Sequence, residues 1–381
     1  MPEPRIFIDV HILQSLPPSN VNRDENGTPK HAQYGAVRRA RVSSQAWKRA
    51  TRTAMAADGH HTPDTASTRT KRIAALVTAR LAETTDIGEE QAARLATSLL
   101  ATLEISPGRR ATETAYLLYF GKAQVDNIVA LIADQVEELA ALDDKALAKA
   151  VENYPVKEQL SSGHPVDVAL FGRMVARIPQ LNIDAAVQVS HALSTHPVQV
   201  EFDFFTATDD EKPRSESAGA EMMDTIEFNS ALYYRYATVG VQQLIDNLDG
   251  DTDAALKALE RFLTAFTRSV PTGHQNSFAH HTRPYLATFV VRDCPVNMVT
   301  AFERPIRTTD GLATESAKRL AAEFTETRSL WGYEPITLHS TYPAADTEEL
   351  KAELGEPVPF AQAVTSAVAS VRNQLQAETR A

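Results

Sequence analysis

The stretch RRARVSSQAWKRATRTAMAA, residues 38–57, decides how the first part of this chain folds. Ser43 and Ser44 are both good N-cap residues, so the stretch predicts a helix that begins there and runs to about Ala57. Successive residues of a helix advance by about 100° around its axis. One face of this helix then carries Gln45, Lys48, Arg49 and Arg52, and the opposite face carries Trp47, Ala50 and Ala54. We therefore expect a helix that is anchored on its tryptophan side and presents cations on the other.

The basic residues of the chain are concentrated around this helix. Residues 23–52 contain eight Lys and Arg against two acids, a net charge of +6. The whole chain carries −11, so the rest of it carries −17. One basic segment on an acidic protein predicts a local site for a polyanion, because the acidic remainder repels indiscriminate contacts with nucleic acid. A basic face that is simply solvated is the alternative.

Length and composition exclude several other classes of protein. The 381 residues predict two or three packed units, and 43% apolar with 23% charged residues is ordinary for a globular protein. Cys294 is the only cysteine, which excludes an intramolecular disulfide and a cysteine-rich zinc site and indicates a reducing compartment. No secretory signal or membrane-spanning run is found, so we expect a soluble cytoplasmic protein.

The segments on either side of the helix predict a mixture of strands and helices. Ile6–Leu13 alternates with period two and predicts a strand with one face in the core, followed by a turn-rich loop over Ser15–Lys30. From about Ala66 to Val151 the pattern is helical, and it indicates an inserted helical subdomain. A second β–α unit is predicted from a buried strand at Val166–Phe171 and a helix over Ile183–Leu193 capped by Asn182.

Two later segments predict a long β-hairpin. Val198–Phe204 alternates, Phe228–Tyr236 is its partner, and the polar stretch Asp209–Glu221 between them forms the tip. Phe204 falls on the apolar face of the alternating strand and is expected in the core. Phe205 falls on the polar face, so it is expected to be exposed or covered by a partner. Further elements are predicted as helices at Val241–Leu248, Ala254–Ser269, Gly311–Thr327 and Gln362–Ala377, with a strand at Tyr285–Val291. This order of elements favours an α+β fold with helical insertions.

Common catalytic signatures are missing from the sequence. It has no P-loop, dinucleotide-binding, zinc-protease or nucleophile-elbow motif. The pairs His60-His61 and His280-His281 have no ligand spacing, so they do not indicate a metal site or a histidine-dependent endonuclease. Asp24 or Glu25 beside the basic face could hold a divalent ion that activates water against a phosphodiester. A metal-dependent ribonuclease using Asp24 therefore remains the alternative to a binding protein.

Six stretches of the chain carry a family resemblance. They are Asn22–Asp24, Arg38–Ala50, Val166–Met174, Asp184–His191, Asp203–Ala207 and Phe302–Arg304. With these stretches in the family's order and spacing, the chain resembles the crRNA-binding backbone subunit of the type I-E CRISPR Cascade complex. The resemblance implies an α+β, hand-shaped protein with an RRM-like (ferredoxin-like) palm, a helical fingers insertion and a projecting β-hairpin thumb. The corresponding divisions are palm 1–58, fingers 59–160, palm 161–197, thumb 198–236, and palm with C-terminal helices 237–381.

The resemblance also implies a function and a set of site residues. The resemblance implies a subunit with no catalytic residue and no cofactor. Copies of such a subunit stack along the guide RNA and bind its phosphates. They displace nucleotides at regular intervals, so that the guide can pair with target DNA. The implied guide-backbone contacts are Arg23, Lys30, Ser43, Gln45, Lys48, Arg49 and Arg52, with Arg304 and Arg307 as further candidates. The implied nucleotide-displacing wedge is Met174, Phe205 and Thr206. The implied partners are crRNA, further copies of the chain, target DNA, the large and small subunits, the guide 5′-end-binding subunit and the hairpin-binding endoribonuclease.

Three positions depart from the family's pattern. Ala36 follows Gly35 where a second glycine is expected, Val37 stands where relatives can carry a basic residue, and Phe204 stands where the family has tryptophan.

Overall fold

The fold combines one large sheet with many helices. The computed structural model describes residues 5–57, 67–103, 113–114, 117–175, 178–207, 222–309, 311–343 and 347–380. The strands are β1 Phe7–Ser19, β2 His31–Tyr34, β3 Val37–Val42, β4 Ser67–Thr70, β5 Leu118–Gly121, β6 Val187–Val189, β7 Ala192–Ser194, β8 Glu201–Ala207, β9 Met222–Gly240, β10 Leu286–Arg292 and β11 Thr337–Thr341. His60 and His61 and the expected hairpin tip at Asp209–Glu221 lie outside the described residues.

The helices are distributed along the whole chain. They are α1 Ser44–Ala57, α2 Ile73–Thr84, α3 Glu89–Ala101, α4 Lys122–Ala130, α5 Val136–Ala140, α6 Asp144–Val151, α7 Val156–Ser161, α8 Val166–Phe171, α9 Val241–Asp246, α10 Thr252–Arg268, α11 Gln275–Phe278, α12 Leu312–Trp331, α13 Thr347–Leu354 and α14 Phe360–Arg380. Among the described residues, no helix is both long enough and apolar enough to cross a membrane.

The chain divides into two compact units. The sheet unit comprises Met1–Ala54, Gln188–Val239 and Leu259–Ala381, and the helical unit comprises Met55–Val187 and Gly240–Ala258. The helical unit is therefore larger than the expected insertion at 59–160, because it also takes up residues through Val187 and a later segment.

The sheet unit is built on strands in the order β11-β10-β1-β9-β7-β3-β2, with β8 paired to β9. Pairing is antiparallel between β1 and β10, β10 and β11, β2 and β3, β3 and β7, and β7 and β9. A buried cluster that includes Leu13, Leu286, Phe302, Leu320 and Phe324 fills the space between this sheet and α12.

The first strand is buried on both faces rather than one. Asp9 and His11, which the alternation placed on the solvent side, are both 0% exposed. The Asp9 carboxylate accepts hydrogen bonds from the Tyr236 hydroxyl and the Val296 N–H, both at 2.9 Å, and pairs with Arg292 at 3.3 Å. Burial raises the pKa of Asp9 to about 6. Strand β1 lies between two neighbouring strands and is covered by helices, so neither of its faces meets solvent. The alternation therefore predicted the wrong environment for Asp9 and His11.

The helical unit has its own core and a small two-stranded sheet. Strands β4 and β5 pair antiparallel, and α2 to α8 surround a continuous apolar cluster that includes Val77, Leu95, Leu99 and Ile128. This agrees with the helical pattern expected between Ala66 and Val151.

Two expected elements are wrong in type. Val166–Phe171 is helix α8, not a buried strand, because an apolar run this short fits either structure and its neighbours decide. Ile183–Leu193 is not a helix but contains a bridge at Ile183 and strand β6. The Asn182 side chain does not cap a helix; its Oδ1 accepts a hydrogen bond from the Val175 N–H at 2.5 Å.

Candidate nucleic-acid interface

The first loop is held in shape by two polar side chains. Asn22 accepts the Ser43 N–H through its side-chain oxygen at 2.8 Å and the Lys30 N–H through its carbonyl at 2.9 Å. The Asp24 carboxylate accepts the N–H groups of Asn26 at 2.9 Å and Thr28 at 3.0 Å. The loop therefore docks against the start of α1, bringing Arg23, Lys30 and Ser43 into one neighbourhood.

Helix α1 begins where expected. The Ser43 hydroxyl accepts the Ala46 N–H at 3.3 Å and is 6% exposed, so this side chain caps the helix and sets its direction. The first turn contains no acidic residue, so its free N–H groups favour an anion.

The buried face of α1 is rotated from the expected one. Trp47 is 1% exposed, but Thr51 is buried beside it while Ala50 and Ala54 are half-buried. The rotation brings Lys48 and Arg52 to the edge of the buried face, and partial burial lowers the pKa of Lys48. Gln45 and Arg49 are exposed. The four expected contact residues thus share one solvent-facing side of the helix.

Trp47 is anchored by a buried arginine. The Arg235 guanidinium carbon lies 3.7 Å from the centroid of the Trp47 ring and 4.7 Å from that of Phe266. Arg235 also donates to the Gln14 side chain at 2.5 Å and to the Phe266 carbonyl, and burial lowers its pKa to about 9. This stacking ties α1 to strand β9 and so fixes the position of its basic side.

A second buried arginine shapes the far end of the β2–β3 hairpin. Arg39 donates to the carbonyls of Tyr34 at 3.1 Å, Ser194 at 2.9 Å, Phe302 at 2.7 Å and Glu303 at 3.3 Å. These bonds hold the segment that leads to the exposed Arg304 and Arg307. The turn of the hairpin lies against the Glu303 carbonyl, next to Arg304, and the Ile306 N–H that precedes Arg307 donates to the Thr195 carbonyl at 2.9 Å. Lys30 lies at the open end of the hairpin, just before β2.

The turn of this hairpin explains the departure at position 36. Gly35 and Ala36 have φ of 59° and 60°, the left-handed conformation that both central residues of a two-residue type I′ turn require. A Cβ atom on Gly35 would lie 1.6 Å from the Glu303 carbonyl oxygen, so only glycine fits there. Ala36 is exposed and keeps a conformation that costs a non-glycine residue free energy.

We expect Ala36→Gly to stabilise the protein. Relief of the left-handed conformation outweighs the entropy that glycine adds to the unfolded chain, leaving a net gain of about 0.5–1 kcal/mol in the free energy of unfolding. Chemical denaturation followed by circular dichroism measures the free energy of unfolding. The paired variant Gly35→Ala should lose about 3 kcal/mol, because its Cβ displaces backbone. Unchanged or lower stability of Ala36→Gly would contradict this account of the turn.

Four residues of the basic segment's surroundings were missed by sequence reasoning. Arg41 lies 3.2 Å from the His191 ring, and Arg38 lies 3.1 Å from the His31 ring. Arg38 and Arg41 were counted in the net charge but not placed in the site. Nothing in the sequence links position 41 to position 191, since only the pairing of β3 with β7 brings them together.

Met174 is presented outward by a rigid segment of the helical unit. It is 83% exposed, while both its neighbours in the chain are buried. Arg173 pairs through its backbone with Ile183 and donates to the carbonyls of Leu181, Tyr119 and Leu160. A large apolar side chain held in solvent by a fixed backbone is typical of a contact surface.

The ribbon of β8 and β9 carries three exposed phenylalanines. The register pairs Phe204 with Thr225 and Phe205 with Asp224. Phe205 is 36% exposed, as its broken parity predicted, but Phe204 is 62% exposed and the expectation that it lies in the core is wrong. This part of β9 pairs with β8, whereas the main sheet engages β9 further along, so alternation on the ribbon does not mark a core face. The Thr206 backbone lies in β8, and its side chain is outside the described part.

The residues considered for metal or histidine chemistry have other contacts. Within the described ranges, no group of three or more His, Cys, Asp and Glu side chains is arranged to hold a metal ion. The Asp24 carboxylate is engaged with its own loop, and Glu25 is exposed. His280 is buried, with Nε2 2.9 Å from the Pro271 carbonyl oxygen, and it stacks on His281.

Comparison with known proteins identifies the class. The chain is similar to a chain of a structure described as a CRISPR RNA-guided surveillance complex, pre-nicking, with 32% identity and a TM-score of 0.82 over 96% of this chain and 99% of that one. It is also similar to a chain of a CRISPR RNA-guided surveillance complex with 28% identity and a TM-score of 0.74, over the same shares of the two chains. A search of curated proteins gave no significant match.

These similarities place the fold among subunits of CRISPR surveillance complexes. The chain belongs to the family of CT1975-like proteins, whose family model matches residues 8–365.

Proposed function

We propose that this chain is the non-catalytic, crRNA-binding backbone subunit of a type I-E CRISPR surveillance complex. Several copies line up along the guide, bind its phosphates and leave its bases free for pairing with target DNA. Sequence specificity then belongs to base pairing rather than to the protein.

One observation carries the proposal. The solvent-facing side of α1 presents Lys48, Arg49 and Arg52, while the opposite side is fixed to the sheet through Trp47 and Arg235. The loop with Arg23 and Lys30 is hydrogen-bonded to the start of the same helix. Arginine and lysine on a rigid support bind phosphates without reading the bases, which is what a subunit accepting any spacer needs. In this arrangement Ser43 sets the helix N-terminus, and Arg304 and Arg307 extend the surface.

The apolar residues on exposed segments support the displacement of nucleotides. Met174, Phe205 and Thr206 act as the wedge. Met174 and Phe205 supply its apolar surface, because apolar side chains inserted beside a base unstack it at a cost of a few kcal/mol. The strand order β10-β1-β9-β7, with the first strand internal, supports an RRM-like palm, and the β8–β9 ribbon supports a thumb hairpin. The proposed fingers, residues 59–160, fall within the helical unit.

The proposed partners follow from the surveillance complexes that the chain resembles. They are crRNA, further copies of this chain, target DNA paired to the guide, the large and small subunits, the guide 5′-end-binding subunit and the hairpin-binding endoribonuclease.

Co-expression with a repeat–spacer RNA and the neighbouring genes tests the proposal. We expect several copies of the chain to co-elute by size with one spacer RNA. That RNA should stay intact on a denaturing gel after incubation with magnesium. Elution of the chain without RNA would overturn the proposal.

The same gel tests the metal-dependent ribonuclease. Cuts at regular spacing that Asp24→Ala abolishes would establish that activity instead. The variant needs a folding check by circular dichroism, because the Asp24 carboxylate also accepts two N–H groups of its loop.

A further inference from the structure

Three residues able to carry positive charge lie on three neighbouring segments of the sheet unit, with Arg41 between Lys30 and His191. Arg41, on β3, donates its backbone N–H to the Lys30 carbonyl at 2.9 Å, at the entrance to β2. On the other side, its Nη1 donates to His191 Nδ1 at 3.2 Å, just before β7. Its Nε donates to the His31 carbonyl at 3.2 Å, which fixes the plane of the guanidinium.

No carboxylate in the described part of the chain pairs with Lys30, Arg41 or His191. Two cations beside an ionisable ring repel one another, and proteins normally relieve such repulsion with an acid. The effect is visible on His191, whose pKa is lowered by partial burial, by Arg41 and by Lys30. Arg41 keeps Nη2 without a partner among the described residues, and all three residues reach solvent. The arrangement lacks only an anion.

We propose that Lys30, Arg41 and His191 form a phosphate-binding site that holds one phosphodiester of the bound RNA. This inference rests on the proposed function, and it adds Arg41 and His191 to the residues that contact the guide. The Lys30 ammonium and the Arg41 Nη2 supply charge-assisted donors. Because arginine only donates, the neutral His191 ring accepts at Nδ1 and carries its proton at Nε2, a third donor.

The position of the site supports this ligand. Arg41 comes two residues before Ser43, the cap of α1, so the three groups lie next to the helix N-terminus and its N–H groups. A phosphodiester there meets cations and helix dipole together. The site is continuous with the surface of α1 that carries Lys48 and Arg52.

The site couples RNA binding to pH. A bound phosphate places a negative charge beside His191 and raises its pKa toward and above the ordinary value. Protonation at Nδ1 then accompanies binding and ends the hydrogen bond from Arg41 Nη1, which turns to the phosphate instead. Affinity therefore strengthens as pH falls through the interval between the free and bound pKa values of His191. The charged groups that act on the His191 ring are Arg41 and Lys30. His31 lies beside Arg38 and His274 beside Arg23, so the His191 contribution is measured as a difference between variants.

The test measures affinity of the full chain for a labelled single-stranded RNA of mixed sequence. We expect Arg41→Met to weaken binding about 10- to 100-fold, the loss of one charge-assisted contact. Lys257→Gln, which removes one exposed charge on α10, should change affinity less than about twofold. The affinity of the wild-type chain for RNA should rise about three- to tenfold when the pH is lowered from 7.5 to 6.0. His191→Gln should reduce this pH-dependent rise. The control variant His31→Gln should keep the contribution that His191→Gln removes.

The outcomes separate the site from the proposed function. If the wild-type chain binds no RNA, the proposed function fails and the site with it. If K48E/R52E loses binding while Arg41→Met and His191→Gln match their controls, the function stands and the site is wrong. His191→Gln changes an exposed residue, so it remains informative even if Arg41→Met fails to fold. Inorganic phosphate at matched ionic strength should displace the RNA no better than chloride does. If phosphate displaces RNA selectively from the wild-type chain and not from Arg41→Met, the site binds free phosphate instead.

Discussion

Reversing two charges on α1, in the variant K48E/R52E, is expected to lower RNA affinity by about 10²- to 10⁴-fold for every sequence tested. Each residue supplies one charge-assisted contact worth about 1.5–3 kcal/mol, and the introduced acids add repulsion. The log–log slope of affinity against salt should become shallower by about 0.7 to 1 for each lost contact. Titrations of labelled RNA at several salt concentrations measure both quantities.

The control reverses the same number of charges elsewhere. Lys257 on α10 and Arg283 in the loop before β10 are exposed, so K257E/R283E changes the net charge equally without changing a residue of α1. We expect it to alter affinity by less than about threefold at physiological salt, since charges beyond a Debye length are screened. Equal losses in the two variants would mean that net charge, not the α1 surface, determines binding. Intact binding in K48E/R52E would show that the RNA lies on another face.

Replacing Phe205 and Thr206 with glycine is expected to remove the regular pattern of nucleotide exposure along the guide. A wedge works by occupying the space beside an unstacked base, and glycine leaves that space empty. The phosphate contacts lie on other elements, so RNA affinity should stay within about threefold of wild type. Chemical probing of the assembled complex should then show even reactivity where the wild type shows a periodic one.

A matched variant separates the wedge from general weakening of the strand. Phe202→Gly removes another exposed phenylalanine of β8, on the opposite face of the ribbon from Phe205, and is the control for Phe205→Gly alone. This variant loses a similar amount of β-strand propensity, about 1 kcal/mol, and should keep the periodic reactivity of the guide. Persistence of that pattern in the Phe205 and Thr206 double variant would rule out these residues as the wedge. Met174→Gly tests the third member in the same assay.

Much of the local structure could be predicted where one periodicity dominates. The α1 helix, its serine cap and the exposure of Arg49 follow from residues 43–57, because capping and helical spacing are local. The later helices at Thr252–Arg268 and Leu312–Trp331 were predicted for the same reason.

Predictions failed where neighbours in space decide the outcome. Val166–Phe171 and Ile183–Leu193 are short and apolar, so packing and pairing, not propensity, set their structure. Phe204 was placed in the core by parity, but parity says which residues share a face and not whether that face is covered.

The sequence by itself determined the family resemblance, the concentration of positive charge in residues 23–52 and the helix that presents part of it. These properties depend on residue types and on spacings of a few positions. Only the tertiary structure decided that Arg235 stacks on Trp47, that Arg39 is a buried scaffold residue rather than a surface cation, and that Arg41 meets His191. Each of those contacts joins residues more than 100 positions apart, and strand pairing and burial, which no local pattern records, bring them together.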